Sequence, residues 1–115
     1  MHMDPLMPSL PTLLVLRALE QDPAHGYRIV RWIDEQSAGV LTMKEGTLYP
    51  LLHLLERKGL MTGNWQKNGT ERATRIYTLT NAGRHHLNQE RQDWGRRAEI
   101  VRTVLSGEEV ANGLV

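Results

Sequence analysis

The sequence predicts a mainly α chain with one small β hairpin, an α+β arrangement whose elements run helix, helix, helix, hairpin, long helix. Three observations carry this expectation. Apolar residues at helical spacing recur in three segments within residues 10–60, and an Asn-Gly pair stands between two β-prone runs within residues 61–79. Beyond them, Leu87, Trp94 and Val101 recur every seven residues.

The first helix is expected from Leu10 to Glu20. Pro11 fits its first turn, Ser9 and Thr12 are its cap candidates, and Leu13, Leu14, Leu16 and Leu19 are its apolar positions. Gln21-Asp22-Pro23 ends it, because proline excludes the preceding residue from helical geometry. His25-Gly26-Tyr27 opens a second helix to about Gln36, with Tyr27, Ile29, Val30 and Ile33 apolar. Ser37-Ala38-Gly39 breaks it, and Val40-Leu41 reads as a short extended segment.

Leu48, Leu51, Leu52 and Leu55 then give the packed back of a third helix. Pro50 lacks an N–H and sits best in a first turn, which makes Thr47 a suitable N-cap; a start near Lys44 with a slight kink is the alternative. Gly59 is placed to close the helix as a left-handed residue, with Arg57 and Lys58 favourable to the dipole of its last turn. Two strands are expected at about Met61–Lys67 and Thr74–Leu79, joined either by a tight turn at Asn68-Gly69 or by a longer loop reaching Arg72. Thr80 caps a long fourth helix to about Leu105, with Leu87, Trp94, Ala98, Val101 and Leu105 on one side and a frayed tail from Gly107.

Composition narrows the function. The chain has 115 residues, 40% of them hydrophobic and 23% charged, as expected of one compact globular domain with an appended helix. It has no cysteine, hence no disulfide, thiolate nucleophile or cysteine-bound zinc, which suits a reducing cytoplasm. No run approaches the roughly 18 apolar residues of a membrane span. Asp4 and the lack of an early Lys or Arg argue against a secretory signal. The net charge is only +1, but residues 44–75 carry six basic and three acidic side chains, so the positive charge gathers in mid-chain. His85 and His86 diverge by about 100° on a helix and chelate poorly. Ser9, Ser37 and Ser106 have no His or Asp partners nearby in sequence, and no glycine-rich phosphate loop is present. Neither an enzyme nor a cofactor or metal site is expected.

Three short helices followed by a hairpin is the element order of a winged helix-turn-helix, in which the third helix enters the major groove and the wing reaches the neighbouring backbone. The residues go further. His25-Gly26-Tyr27, Glu45-Gly46-Thr47-Leu48-Tyr49-Pro50, Leu55-Glu56, Gly59-Leu60, Trp65, Tyr77-Thr78-Leu79-Thr80, Ala82-Gly83 and Trp94 follow in order. With these the chain resembles the PadR family of bacterial transcription regulators over roughly residues 10–105. It departs from the usual family pattern at Ile76-Tyr77, where two aromatic residues are common, and at Ala73-Thr74, which thin the basic run of the wing.

The resemblance implies a homodimeric repressor on an inverted-repeat operator, with a DNA-binding domain over residues 1–79 and a dimerisation helix and tail over residues 80–115. Lys44, Thr47, Tyr49, Pro50 and His53 on the third helix are the expected DNA contacts, joined by Lys67, Arg72 and Arg75 from the wing. The front half of that helix holds no arginine, which disfavours bidentate guanine readout there and leaves more of the selectivity to DNA shape. Leu87, Trp94, Ala98, Val101 and Leu105 are the expected dimer face. Trp94 reads first as a dimer-core aromatic. In some family members a tryptophan of this helix stacks on flat aromatic ligands, so a small aromatic effector is the second reading. The low net charge and thinned wing also keep open a winged-helix dimer that binds ligand or protein and has little affinity for DNA.

Overall fold

The computed structural model describes residues 9–67, Gly69 and residues 72–107. Its elements are α1 (Ser9–Gln21), α2 (Gly26–Gln36), α3 (Glu45–Arg57), β1 (Met61–Gln66), β2 (Thr74–Leu79) and α4 (Asn81–Ser106), in the expected order. The expectation of a tail falls mostly on residues 108–115, outside the described residues.

Local chemistry accounts for most of the boundaries. The His25 Nδ1 accepts the Arg28 backbone N–H at 3.1 Å and caps α2. Val40 and Leu41 are not a strand: Ala38 and Gly39 turn through φ 52° and 79°, and the Ser37 hydroxyl oxygen accepts the Leu41 N–H at 3.0 Å to close the loop. Lys44, not Thr47, is the N-cap of α3, so the alternative start holds and Pro50 falls at the sixth helical position instead of the first turn. The N–H that Pro50 lacks would have met the carbonyl of Gly46, which lies on the exposed side where water can serve it. Gly59 closes α3 at φ 76°, as expected.

β1 and β2 pair antiparallel from Met61↔Leu79 to Gln66↔Thr74, a register that a two-residue turn at Asn68-Gly69 would not give; residues 68, 70 and 71 lie outside the described residues. The other edge of β2 is not bare. Ala24 exchanges two backbone hydrogen bonds with Tyr77, at 3.1 and 2.9 Å, so the link between α1 and α2 ties the wing to the helices.

α4 begins at a tight junction. The Thr80 hydroxyl accepts the Gly83 N–H at 3.0 Å and donates to the Gly59 carbonyl at 2.6 Å. The core runs through all six elements, from Val15, Leu16 and Leu19 on α1 through Ile29, Ile33, Leu48, Leu52, Leu55, Met61 and Tyr77 to Leu87 on α4. The Arg91 guanidinium donates to Glu20 at 2.8 Å, holding α4 against the end of α1.

Candidate nucleic-acid interface

The three faces of α3 have separate duties. Leu48, Leu52 and Leu55 are buried. Gly46, Pro50, His53 and Arg57, spaced i, i+4, i+7 and i+11, form the exposed ridge opposite them. Tyr49 and Glu56 lie on the flank turned toward α2 and the wing, while Thr47 and Leu54 lie on the other flank. Lys44 stands exposed at the helix N-terminus with no side-chain capping bond.

Of the expected contact residues, Pro50 and His53 therefore share the outward ridge, and Lys44 and Thr47 flank its front. Tyr49 is turned sideways: its ring lies against Gly26, where a Cβ would meet Tyr49 Cε1 at 3.2 Å. Arg57, expected only to complement the helix dipole, extends the ridge by one turn. Its spacing from Gly46 and Pro50 is the signal that could have found it.

On the wing, Lys67 and Arg72 are exposed at the two ends of the loop. Arg75 is not, and the expectation that it presents its charge outward gives way. It pairs with Glu56 of α3 at 2.5 Å, and its guanidinium lies 5.5 Å from the ring centre of Trp65 and 5.9 Å from that of Tyr77. Burial pushes the Tyr77 phenol above its usual value, against the lowering effect of the nearby Arg75 charge.

Between the wing and the front ends of α2 and α3 lies an open cleft of about 390 Å³, lined by His25, Tyr27, Tyr49, Trp65, Arg75 and Tyr77 among others. Tyr27, one of the expected apolar positions of α2, is 64% exposed, and its ring stacks near His25 at 6.3 Å and beneath Arg31 at 5.9 Å. Trp65 is 67% exposed at the outer end of the cleft. A surface that offers the exposed rings of Tyr27 and Trp65 and the Tyr49 hydroxyl is chemically suited to a sugar-phosphate strand.

α4 carries a second exposed surface. Leu87 shares a stripe with Trp94 and Val101, but it is wholly buried in the chain's own core and offers nothing to a second copy. Trp94 is half-buried outside that core cluster, and Ala98 is exposed. Val101, Val104 and Leu105 are 55, 69 and 82% exposed, an apolar patch in the last two turns to which Val104 is an unexpected addition. Among the described residues, no helix is long and apolar enough to cross a membrane.

Three helices, a two-stranded wing and a trailing helix define a winged-helix protein. The model of the transcriptional regulator PadR-like family matches residues 15–89, and the chain belongs to that family, whose members are regulators and not enzymes. It is similar to transcriptional regulator Rv3488 of Mycobacterium tuberculosis, with 37% identity over 84 residues that make up 73% of this chain and 62% of that protein. It is also similar in structure to a PadR family regulator from Eggerthella lenta, with a TM-score of 0.74, 29% identity, and 87% and 85% of the two chains covered. A third likeness is to Bacillus subtilis PadR in complex with operator DNA, with a TM-score of 0.64, 26% identity, and 70% of this chain and 45% of that one covered. The chain thus spans less than two thirds of Rv3488 and less than half of the Bacillus chain.

Proposed function

We propose that this protein is a DNA-binding repressor that acts in the cytoplasm as a homodimer on an inverted-repeat operator. The observation that carries the reading is the outward ridge of α3, with Pro50, His53 and Arg57 exposed opposite a buried leucine face. Lys44 and Thr47 stand at its front, and Lys67 and Arg72 at the wing loop. The similar Bacillus chain bound to its operator supports it. Lys67 and Arg72 serve phosphates, whose released counterions make binding salt-dependent. Arg57 is the ridge's one side chain able to make a bidentate guanine contact.

Two copies join through the exposed end of α4, with Trp94, Ala98, Val101, Val104 and Leu105 at the contact. The division at residues 79 and 80 then separates reading from pairing, except that Leu87 belongs to the reading half. The two α3 ridges enter successive major grooves about 34 Å apart. A flat aromatic effector stacked on Trp94 changes the angle between the two α4 helices and releases the operator without parting the dimer. Inserting five base pairs between the half-sites, about half a helical turn, tests the geometry. Binding should collapse on insertion; equal affinity for both spacings would refute the paired-groove arrangement.

A second reading, a ligand- or protein-binding winged-helix dimer with little DNA affinity, draws on one observation. Arg75 is paired with Glu56, which removes a positive charge from an already thinned wing.

A further inference from the structure

Glu56 and Arg75 join α3 to the wing, the two elements that the DNA-binding reading places on one duplex. Arg75 leaves β2 on the wing's inner face and crosses toward β1, where the chain offers Gly63 in place of a side chain. A Cβ at Gly63 would stand 2.6 Å from Arg75 Nε and 2.8 Å from its Cζ, so the guanidinium lies where that side chain would be. Trp65, paired across the hairpin from Arg75, and Tyr77, paired across from Gly63, wall the slot with their rings. Glu56 closes its open end, accepting from Arg75 Nη2.

Both charged side chains are about a quarter exposed, at 27 and 28%. An ordinary surface pair contributes next to nothing, because water screens it and both partners lose rotamer freedom. Here the guanidinium is already held between two rings above a glycine floor, so little freedom remains to be lost. Glu56 also sits on the flank of α3, two turns from Tyr49 and off the outward ridge.

We propose that the Glu56–Arg75 pair is a brace that sets the angle of the wing against α3, which makes Glu56, Gly63 and Arg75 positioning residues for DNA binding. The proposal rests on the DNA-binding reading above. It reverses the sign of an elementary expectation. An acid beside a DNA-binding surface repels phosphate, so neutralising it should tighten binding; if Glu56 holds the wing in place, neutralising it loosens binding.

The test compares Glu56→Gln, Gly63→Ala, their double variant and Arg75→Lys in the full chain. Gly63→Ala alters neither charge and evicts the guanidinium by volume alone. Arg75→Lys keeps the charge but loses the flat group that fits the slot, so it would be nearly silent if Arg75 met phosphate directly. Each single variant should weaken operator binding about tenfold at fixed salt, and the double should be no weaker than either single, because both break one device. Cooperative melting by circular dichroism confirms that each variant is folded. Hydrogen exchange of the free protein should show faster exchange in Met61–Gln66 and Thr74–Leu79 for every variant. Equal or tighter binding by Glu56→Gln, additive losses in the double variant, silence of Arg75→Lys, or unchanged wing exchange would each overturn the brace. If the wild-type protein binds no operator, the DNA-binding reading fails and the exchange experiment still judges the brace.

Discussion

Gly83 lies so close to Leu60 that a Cβ on Gly83 would stand 1.9 Å from the Leu60 carbonyl oxygen. No side chain can move aside there, because the obstacle is backbone. The contact lets α4 start directly against the end of α3, with Leu87 one turn on reaching the core. Gly83→Ala should destabilise the fold by about 3 kcal/mol or more, above the usual range for overpacking. Gly95, with open space around it on the same helix, is the control: Gly95→Ala should stabilise by about 0.5–1 kcal/mol. Urea denaturation of the two variants reads both, and equal effects would remove the close approach from the explanation.

The Thr80 hydroxyl serves two elements, accepting from Gly83 and donating to Gly59. Thr80→Ala should lower stability by about 1–2 kcal/mol, the upper part of the range for a lost N-cap. Thr80→Ser, which keeps the hydroxyl, should recover most of it. If Ser and Ala behave alike in thermal melts, the hydroxyl is not the cause.

Trp94→Ala should weaken self-association by about 2–4 kcal/mol while leaving the winged helix folded, as expected for a large aromatic lost from a contact. Sedimentation equilibrium measures it. A dimer as tight as the wild type would place Trp94 outside the interface.

The raised pKa of Tyr77 has a consequence at alkaline pH. Between its unfolded value of 10.0 and its higher folded value, the native state holds the proton more tightly than the unfolded chain does. Its contribution to stability is therefore whole below pH 10 and is lost as pH rises through the folded value. Urea midpoints taken from pH 9 upward should fall in the wild type, and the Tyr77→Phe variant should lose that part of the slope. An identical slope in Tyr77→Phe would assign the alkaline loss to other groups.

The order of the elements was legible because each rule involved is local: apolar spacing for the helices, Gly59 for the end of α3, Thr80 for the start of α4. The turn of the hairpin was not, since Asn68-Gly69 serves a two-residue turn or a longer loop equally well until the register is known. The same non-local register decides Arg75. Its charge reads as solvent-facing until Gly63 and Tyr77 are seen side by side across the strands, with Glu56 above them. Leu87 shows a different limit: seven-residue spacing groups it with Trp94, but spacing does not say which surface a stripe meets. The core takes Leu87 in the early turns, while Val101, Val104 and Leu105 stay exposed in the last ones, on either side of a buried Thr103. In the candidate interface, the outward placement of Pro50 and His53 is legible from the face opposite the leucines; Arg57 shares that face, but its place at the helix end points first to the dipole.

Tyr49→Ala and Arg57→Ala separate the two working sides of α3. Arg57→Ala should weaken operator binding and reduce the salt slope by about one if the side chain meets phosphate, or relax base preference at one position if it meets guanine. Tyr49→Ala should weaken binding with the fold and association intact. Unchanged binding in both would remove the ridge and its flank from the interface.

The most direct measurement is fluorescence anisotropy of the protein with DNA from upstream of its own gene against scrambled DNA, across a salt series. Selective binding whose log affinity falls steeply and linearly with log salt is the expected result, and the slope counts the phosphates engaged. Equal, weak binding to both sequences, with a flat salt dependence, would contradict a DNA-reading α3 and turn attention to the ligand- or protein-binding alternative.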